Sequence, residues 1–187
     1  ELTIEMEKSG EKEIAITQGV DLLGPNFFSI RPGQDSLQFR APKAQFDLKH
    51  KVIYCEQVEY IDIADARIYP DSMKIIIRKK AAIDKLQDAK IVANYVTKYH
   101  HFIDAEVELL ARRLYKANAH YPYYDKDSNL FYIRMDNIGL DTSYQTIASG
   151  KIPADMDFKL SSEFDYYGDV SIHAASPTIL FSGATRI

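Results

Sequence analysis

The side chains best able to do chemistry in this sequence are carboxylates and imidazoles set close together. Asp62 with Asp65, Glu106 with Glu108, and Asp155 with Asp157 are the paired acids. Residues two apart on an extended strand share a face, so Glu106 and Glu108 could stand at glycosidase-like separation. Any acidic chain yields such pairs, and a solvated face is the simpler reading. His100, His101, Asp104 and His120 are metal-ligand types. Adjacent strand residues point to opposite faces, however, so His100 and His101 do not converge from regular structure. Asp125-x-Asp127-x-Asn129, with Asp136 at the twelfth position, has the opening spacing of a calcium loop. Leu130 stands where the sharp turn needs Gly, and Asp136 where Glu is usual, so a polar hairpin turn is expected instead. Cys55 is the single cysteine and closes the apolar run Val52-Ile53-Tyr54-Cys55. It reads as a small buried hydrophobe rather than a nucleophile. There is no G-x-S-x-G, P-loop or dinucleotide glycine fingerprint. The expectation is therefore a non-enzyme with no catalytic residue, no metal and no cofactor.

The net charge of −4 over 187 residues argues against the basic face that a nucleic-acid partner requires. Arg112-Arg113 and Lys79-Lys80 are too sparse for a nucleic-acid path but could meet anionic lipid or sugar headgroups. Thirteen Tyr, nine Phe and no Trp favour strands and half-buried rings with a polar tip. Tyr121-Pro122-Tyr123-Tyr124 could stack on sugars or pair across strands. The longest apolar runs are far too short for a spanning helix.

Positioning falls to short strands. Between Leu37 and Ile83, two units look alike: Ala44 to Tyr54 and Ala66 to Ile77. Each has Ala, an apolar residue two places on, a polar turn near an Asp, then Lys and a β-branched run. Weaker copies run from Ala119 to Ile133 and from Phe164 to Ile172. Asp47, Pro70 and Asp71 are expected to mark turns. Leu2 to Ile16 reads as a hairpin, Gln18 to Asp35 as a loop holding Phe27–Ile30 as a short strand, and Ala81 to Lys90 as a loop or one helical turn. Ile91 to Val96 reads as a strand. Asp104 to Ala117 fits both helical and strand spacing, and strand is taken from its neighbours. A hairpin turn is expected at Asp125–Asn129. A strand over Asp141–Ile147 followed by a turn at Ser149–Lys151, and breaks at Gly168-Asp169 and Ser176-Pro177, complete the pattern. The whole predicts a mainly β chain of stacked antiparallel strand–turn–strand units, forming a jellyroll, sandwich or short solenoid. It forms one domain over 1–187, with a hairpin and loop in 1–36 and repeated units in 37–187. A start at Glu1 and a stop just after a strand-like run predict a piece of a larger protein.

The Ala-x-apolar, turn, Lys-x-β-run unit resembles the repeat of the OstA-like β-jellyroll family, which includes the periplasmic bridge proteins of lipopolysaccharide transport. The matching residues are Ala44 to Val58, Ala66 to Ile77 and, more loosely, Ala119 to Ile133, Phe164 to Ile172 and the tail Ser171 to Ala184. The resemblance implies folded-over antiparallel sheets that stack end to end with neighbouring modules outside the cytoplasm, around an interior that cradles acyl chains. In this chain that interior would be lined by Phe46, Ile53, Ile75, Ile77, Val107 and Leu109, the other reading of these residues being a closed core. The expected function is a structural or lipid-binding module of a bacterial envelope protein, in the periplasm or at the outer membrane. Its partners would be neighbouring β modules, with lipid or glycan as ligand. The alternative is a carbohydrate-binding sandwich with Tyr121 and Tyr123 as a surface platform.

Overall fold

Strand-forming residues dominate, and at several turns a short polar side chain satisfies its own backbone. The computed structural model describes residues 24–186; the hairpin expected over Leu2–Ile16 lies outside them. Strands make up 61% of the structure, all in antiparallel sheets that do not close into a barrel, as in a sandwich or jellyroll.

β1 (Asn26–Phe28) pairs with β2 (Gln38–Arg40) in a small ribbon. β3 (Lys43–Asp47) and β4 (Val52–Glu56) form the first hairpin. β5 (Ile61–Ile63) and β6 (Ala66–Tyr69) form the next. β7 (Lys74–Arg78) and β8 (Ala82–Ile83) join β3 and β4 in a four-stranded sheet. The large sheet continues from β6 through β9 (Leu86–Ala93), β10 (His100–Ala111), β11 (Leu114–Tyr124), β12 (Leu130–Leu140) and β13 (Thr146–Ile152). It ends with β14 (Lys159–Ser161), β15 (Phe164–His173) and β16 (Ile179–Arg186).

Aspartates build three of the turns. The Asp47 carboxylate accepts the His50 N–H at 2.9 Å. Asp125 accepts from the N–H groups of Asp127 and Asn129 at 2.9 and 2.7 Å. Asp141 accepts from those of Ser143 and Gln145 at 2.7 and 2.9 Å. A side chain that mimics a backbone turn in this way is why Asp is placed there. Pro70 precedes a single 3-10 turn at Asp71–Met73, so Asp47, Pro70 and Asp71 do mark turns.

The large sheet bends. Asp88 and Asp104 adopt positive φ, 53° and 49°, at register shifts between β9 and β10. Further shifts follow on β10–β11, β11–β12 and β12–β13. Bulges add twist and turn a strand, and Asp tolerates left-handed backbone better than most residues. The bend brings together turns far apart in the sheet. The Ala64 N–H donates to the Arg112 carbonyl at 3.0 Å, and the Tyr95 N–H to the Asp65 carbonyl at 2.8 Å. The Asp65 carboxylate accepts from the Thr146 N–H at 3.0 Å and its hydroxyl at 2.6 Å, although four strands separate β6 from β13.

One core results. Ile61, Ile63, Ile68, Ile91, Phe102, Val107, Tyr115, Ile133, Met135 and Phe158 of the large sheet and its loops meet Ile53, Cys55, Ile75 and Ile77 of the small one. Alternation drives this: on β10, His100, Phe102, Ala105, Val107 and Leu109 are buried, with the change of parity falling at the Asp104 bulge.

Several sequence expectations are corrected. The two units that look alike fold differently: Ala44–Tyr54 is a hairpin, whereas Ala66–Ile77 leaves the large sheet on β6 and enters the small one on β7. Asp104–Ala117 is strand, as taken, but it contains the Arg112-Arg113 turn between β10 and β11. Residues 86–90, expected in a loop or helical turn, belong to β9, because pairing with β10 outweighs local propensity. Asp141 starts a turn rather than a strand, and the strand is Thr146–Ile152. The unit Phe164–Ile172 has no turn. β15 runs through Gly168 at φ +145°, where a Cβ would lie 2.5 Å from the Gly183 Cα of β16. The two glycines let the strands approach too closely for side chains.

Candidate functional site

The residues expected to line a cradle are mostly core. Ile53, Ile75, Ile77, Val107 and Leu109 are all buried within the one cluster. Phe46 is 52% exposed on β3, an edge strand of the small sheet, and lines no interior. Tyr121 and Tyr123 point inward rather than forming a surface platform. The Tyr121 ring lies 5.8 Å from His100 and 5.6 Å from Phe102, and Tyr123 lies 5.2 Å from Phe158 and 5.7 Å from Phe181. The exposed rings of this hairpin are Tyr124 and Tyr132.

The histidines separate. His101 contacts the Lys98 carbonyl, and His120 lies 3.7 Å from Asp104. His100 is buried between the Ser176 carbonyl at 2.7 Å and the Tyr121 hydroxyl at 3.2 Å. A carbonyl only accepts, so Nε2 carries the proton and Nδ1 accepts from Tyr121. Among the described residues no group of three or more His, Cys, Asp or Glu side chains could hold a metal ion. The Asp125 carboxylate is spent on its own turn.

Burial holds the His100 imidazole below its ordinary 6.5, and His101 adds repulsion in the same direction. An unfolded His takes up a proton near that value, whereas the folded one resists it. The unfolded state therefore binds more protons between the folded pKa and 6.5, and stability falls as pH drops through this window; above it the contribution is complete. Urea midpoints of the wild type should fall from pH 7 to pH 5, and those of His100→Gln should fall less. Parallel curves would remove His100 as the source. The carboxylates lowered by their turns and ion pairs act only at lower pH.

Cys55 is buried, and its thiol is pushed up to about 11 by burial. That leaves little thiolate at neutral pH.

Glu106 and Glu108 lie together on the outward face of β10, at one wall of a trough of about 740 Å³. Two neighbouring cross-strand ladders explain it. Val107, Ala117, Ile138, Ala148, Ile172 and Ile179 follow one another across six strands on the inward side. Asn137, Ser149, Ser171 and Leu180 follow one another on the outward side. Small outward residues, with Gly139, keep the floor low. Ile147 and Leu180 make it partly apolar, and Lys85, Lys116, Glu106 and Glu108 form a charged rim. The Lys85 ammonium, 3.0 Å from Glu106, holds that carboxyl below its usual range, with Asn118 helping. A glycosidase acid at neutral pH needs the opposite shift.

The trough ends at β16. Among the described residues this eight-residue strand pairs only with β15, leaving its outer edge without a strand partner there. From Ile179 to Thr185 it carries no charge and no Pro. The other edges are blunted: β5 and β14 have three residues, β8 has two, and β3 carries the Lys43–Glu56 pair. Natural sheets usually protect edges by such means.

Sequence reasoning missed two features. One is the buried chain of Tyr115, Thr146 and Asp65. The other is the group of exposed tyrosines and arginines around Tyr95 and Arg113. Only the Arg112-Arg113 pair signalled the latter.

Comparison with protein-family models, curated proteins and solved structures finds no match to this chain.

Proposed function

We propose that this chain is a non-enzymatic structural β module of a bacterial envelope protein, working outside the cytoplasm, which stacks on a neighbouring β module by strand addition to β16. The observation that supports this reading is the outer edge of β16, which among the described residues has no strand partner and over Ile179–Thr185 no charged side chain. A row of free N–H and C=O groups is a template for one more strand, and main-chain bonds supply the affinity. A strand added there would extend the floor of the trough beyond Leu180, giving the module a partly apolar channel with charged rims for an amphipathic ligand. Ile53, Ile75, Ile77, Val107 and Leu109 hold the module shut rather than hold the ligand.

Leu180 is 62% exposed and Ser182 is exposed, so lysine at both positions charges the edge without touching the core. The wild-type chain should self-associate edge to edge with rising concentration in sedimentation velocity, with β16 amides gaining hydrogen-exchange protection. The L180K/S182K chain should stay monomeric. A wild type that remains monomeric with unprotected β16 amides at every concentration would sink the proposal.

A further inference from the structure

The bend of the large sheet collects turns from distant parts of the chain into a polar, aromatic cleft. Two hollows of about 480 and 410 Å³ adjoin and share Ala64, Tyr95 and Arg113. Their walls come from Glu59, Tyr60, Asp62, Ala64 and Asp65, from residues 94–97, 112–113 and 143–145, and from Asn26, Gln38 and Arg40 of the small ribbon.

Three tyrosines stand here. Tyr95 is 39% and Tyr144 50% exposed. Tyr60 carries the Arg67 guanidinium over its ring at 3.9 Å, and the same guanidinium lies 5.4 Å from the Tyr95 ring. Asp62 grips Arg67 through two bonds of 2.7 and 2.9 Å. The Tyr60–Arg67–Tyr95 stack is therefore held in place, with its charge already matched. Rings fixed in advance lose little entropy when a ligand stacks on them.

The arginines of the β10–β11 turn are different. Arg113 lies 5.4 Å from the Tyr144 ring and only within 3.7 Å of Asp35. Arg112 donates its backbone N–H to the Gln34 carbonyl. Among the described residues its guanidinium has no ion pair and no hydrogen bond. Two guanidinium forks with spare donors thus face a cleft with exposed rings. Glu59 and the amides of Gln38 and Gln145 add acceptors and donors for hydroxyl groups.

We infer that this cleft binds an acidic oligosaccharide of the uronate type. Tyr95 and Tyr144 stack on the C–H faces of the sugar rings, and Arg112 and Arg113 take a sugar carboxylate through paired N–H bonds. The hollows mix Glu59 with the two arginines, which suits single carboxylates set among hydroxyl donors rather than a continuous anionic membrane surface. The net charge of −4 argues against nucleic acid.

The test is calorimetric titration of the whole chain with oligogalacturonate. Neutral dextran and phosphatidylcholine vesicles containing phosphatidylglycerol serve as controls. Oligogalacturonate should bind, more weakly as salt rises, and dextran and vesicles should not. Tyr95→Ala should weaken binding about tenfold, the scale of one lost ring contact. Arg112→Ala with Arg113→Ala should abolish it, while Tyr124→Ala, an exposed ring outside the cleft, should leave it unchanged. If Tyr95→Ala disturbs the fold by circular dichroism, Tyr144→Ala replaces it with the same expectation. Absence of oligogalacturonate binding overturns the inference. So does binding that survives the arginine variant, or equal binding to dextran or to the vesicles.

Discussion

Phe158→Ala is expected to cost about 3–5 kcal/mol, the range for truncating a buried aromatic. Phe158 sits between Pro153–Asp157 and β14, outside any strand, yet it is 1% exposed. Its ring lies 4.9 Å from Phe131, 5.2 Å from Tyr123, 6.0 Å from Phe181 and 6.3 Å from Tyr166. These partners come from β12, β11, β16 and β15, so one side chain closes the space between four strands. Its carbonyl also accepts the Tyr166 N–H at 2.8 Å, fixing the loop that carries it. Aromatic pairs contribute roughly 0.5–1.5 kcal/mol beyond burial, and the remaining rings cannot collapse into the gap without leaving their strands. Urea unfolding should show the loss as a lower midpoint at unchanged slope, and Phe158→Leu should recover most of it. A loss below about 1 kcal/mol, the centre of the distribution for arbitrary substitutions, would mean that the ring is not the keystone described.

Asp65→Ala is expected to cost about 2–4 kcal/mol, from two bonds to a charged acceptor and the buried donors left behind. The Thr146 hydroxyl donates to Asp65, so the Tyr115 hydroxyl, 2.8 Å away, must donate to Thr146. The proton order therefore runs from Tyr115 through Thr146 to the carboxylate. Burial holds the Tyr115 phenol well above its usual range, which keeps that donor proton in place. Thr146 and Tyr115 are essentially inaccessible to water, so neither can find a substitute partner. Asp65→Asn should fare only slightly better, because an amide offers one acceptor oxygen to two donors. Since Asp65 ties the β5–β6 turn to the start of β13, amide exchange should accelerate most at Thr146 and Tyr95. A variant within about 0.5 kcal/mol of wild type, the range of ordinary surface substitutions, would show that the network is dispensable.

Much of the local structure was legible in residue order. An apolar run marked β4, a β-branched run marked β7, neighbouring strands marked β10, and an Asp followed by polar residues marked the turns at 47–51 and 125–129. These signals are short-range: a side chain bonding to the backbone two to four residues on needs nothing from the rest of the chain. Legibility failed where pairing overrode propensity, as in residues 86–90, and where close approach replaced a break, as at Gly168 opposite Gly183.

The candidate sites were less legible. Spacing established that Tyr121 and Tyr123 share a face, but not that the face is inward. The same spacing places Ile75 and Ile77 together without saying whether the space between sheets is open. Among the carboxylate pairs, Glu106 and Glu108 do share a face, and the Glu106 carboxyl is held low by Lys85 from the loop before β9.

Residue order by itself determined that this protein is mainly β, where most of its turns fall and which residues of each strand go together, because alternation and turn chemistry are local. Only the tertiary structure decided which strands pair, which face is core, and that among the described residues β16 has one partner, β15. It alone brought Asp65 to Thr146 and Tyr60, Tyr95, Arg112 and Tyr144 to one cleft. The reason is the bend at Asp88 and Asp104, whose bulges set a direction that no spacing within a single strand encodes.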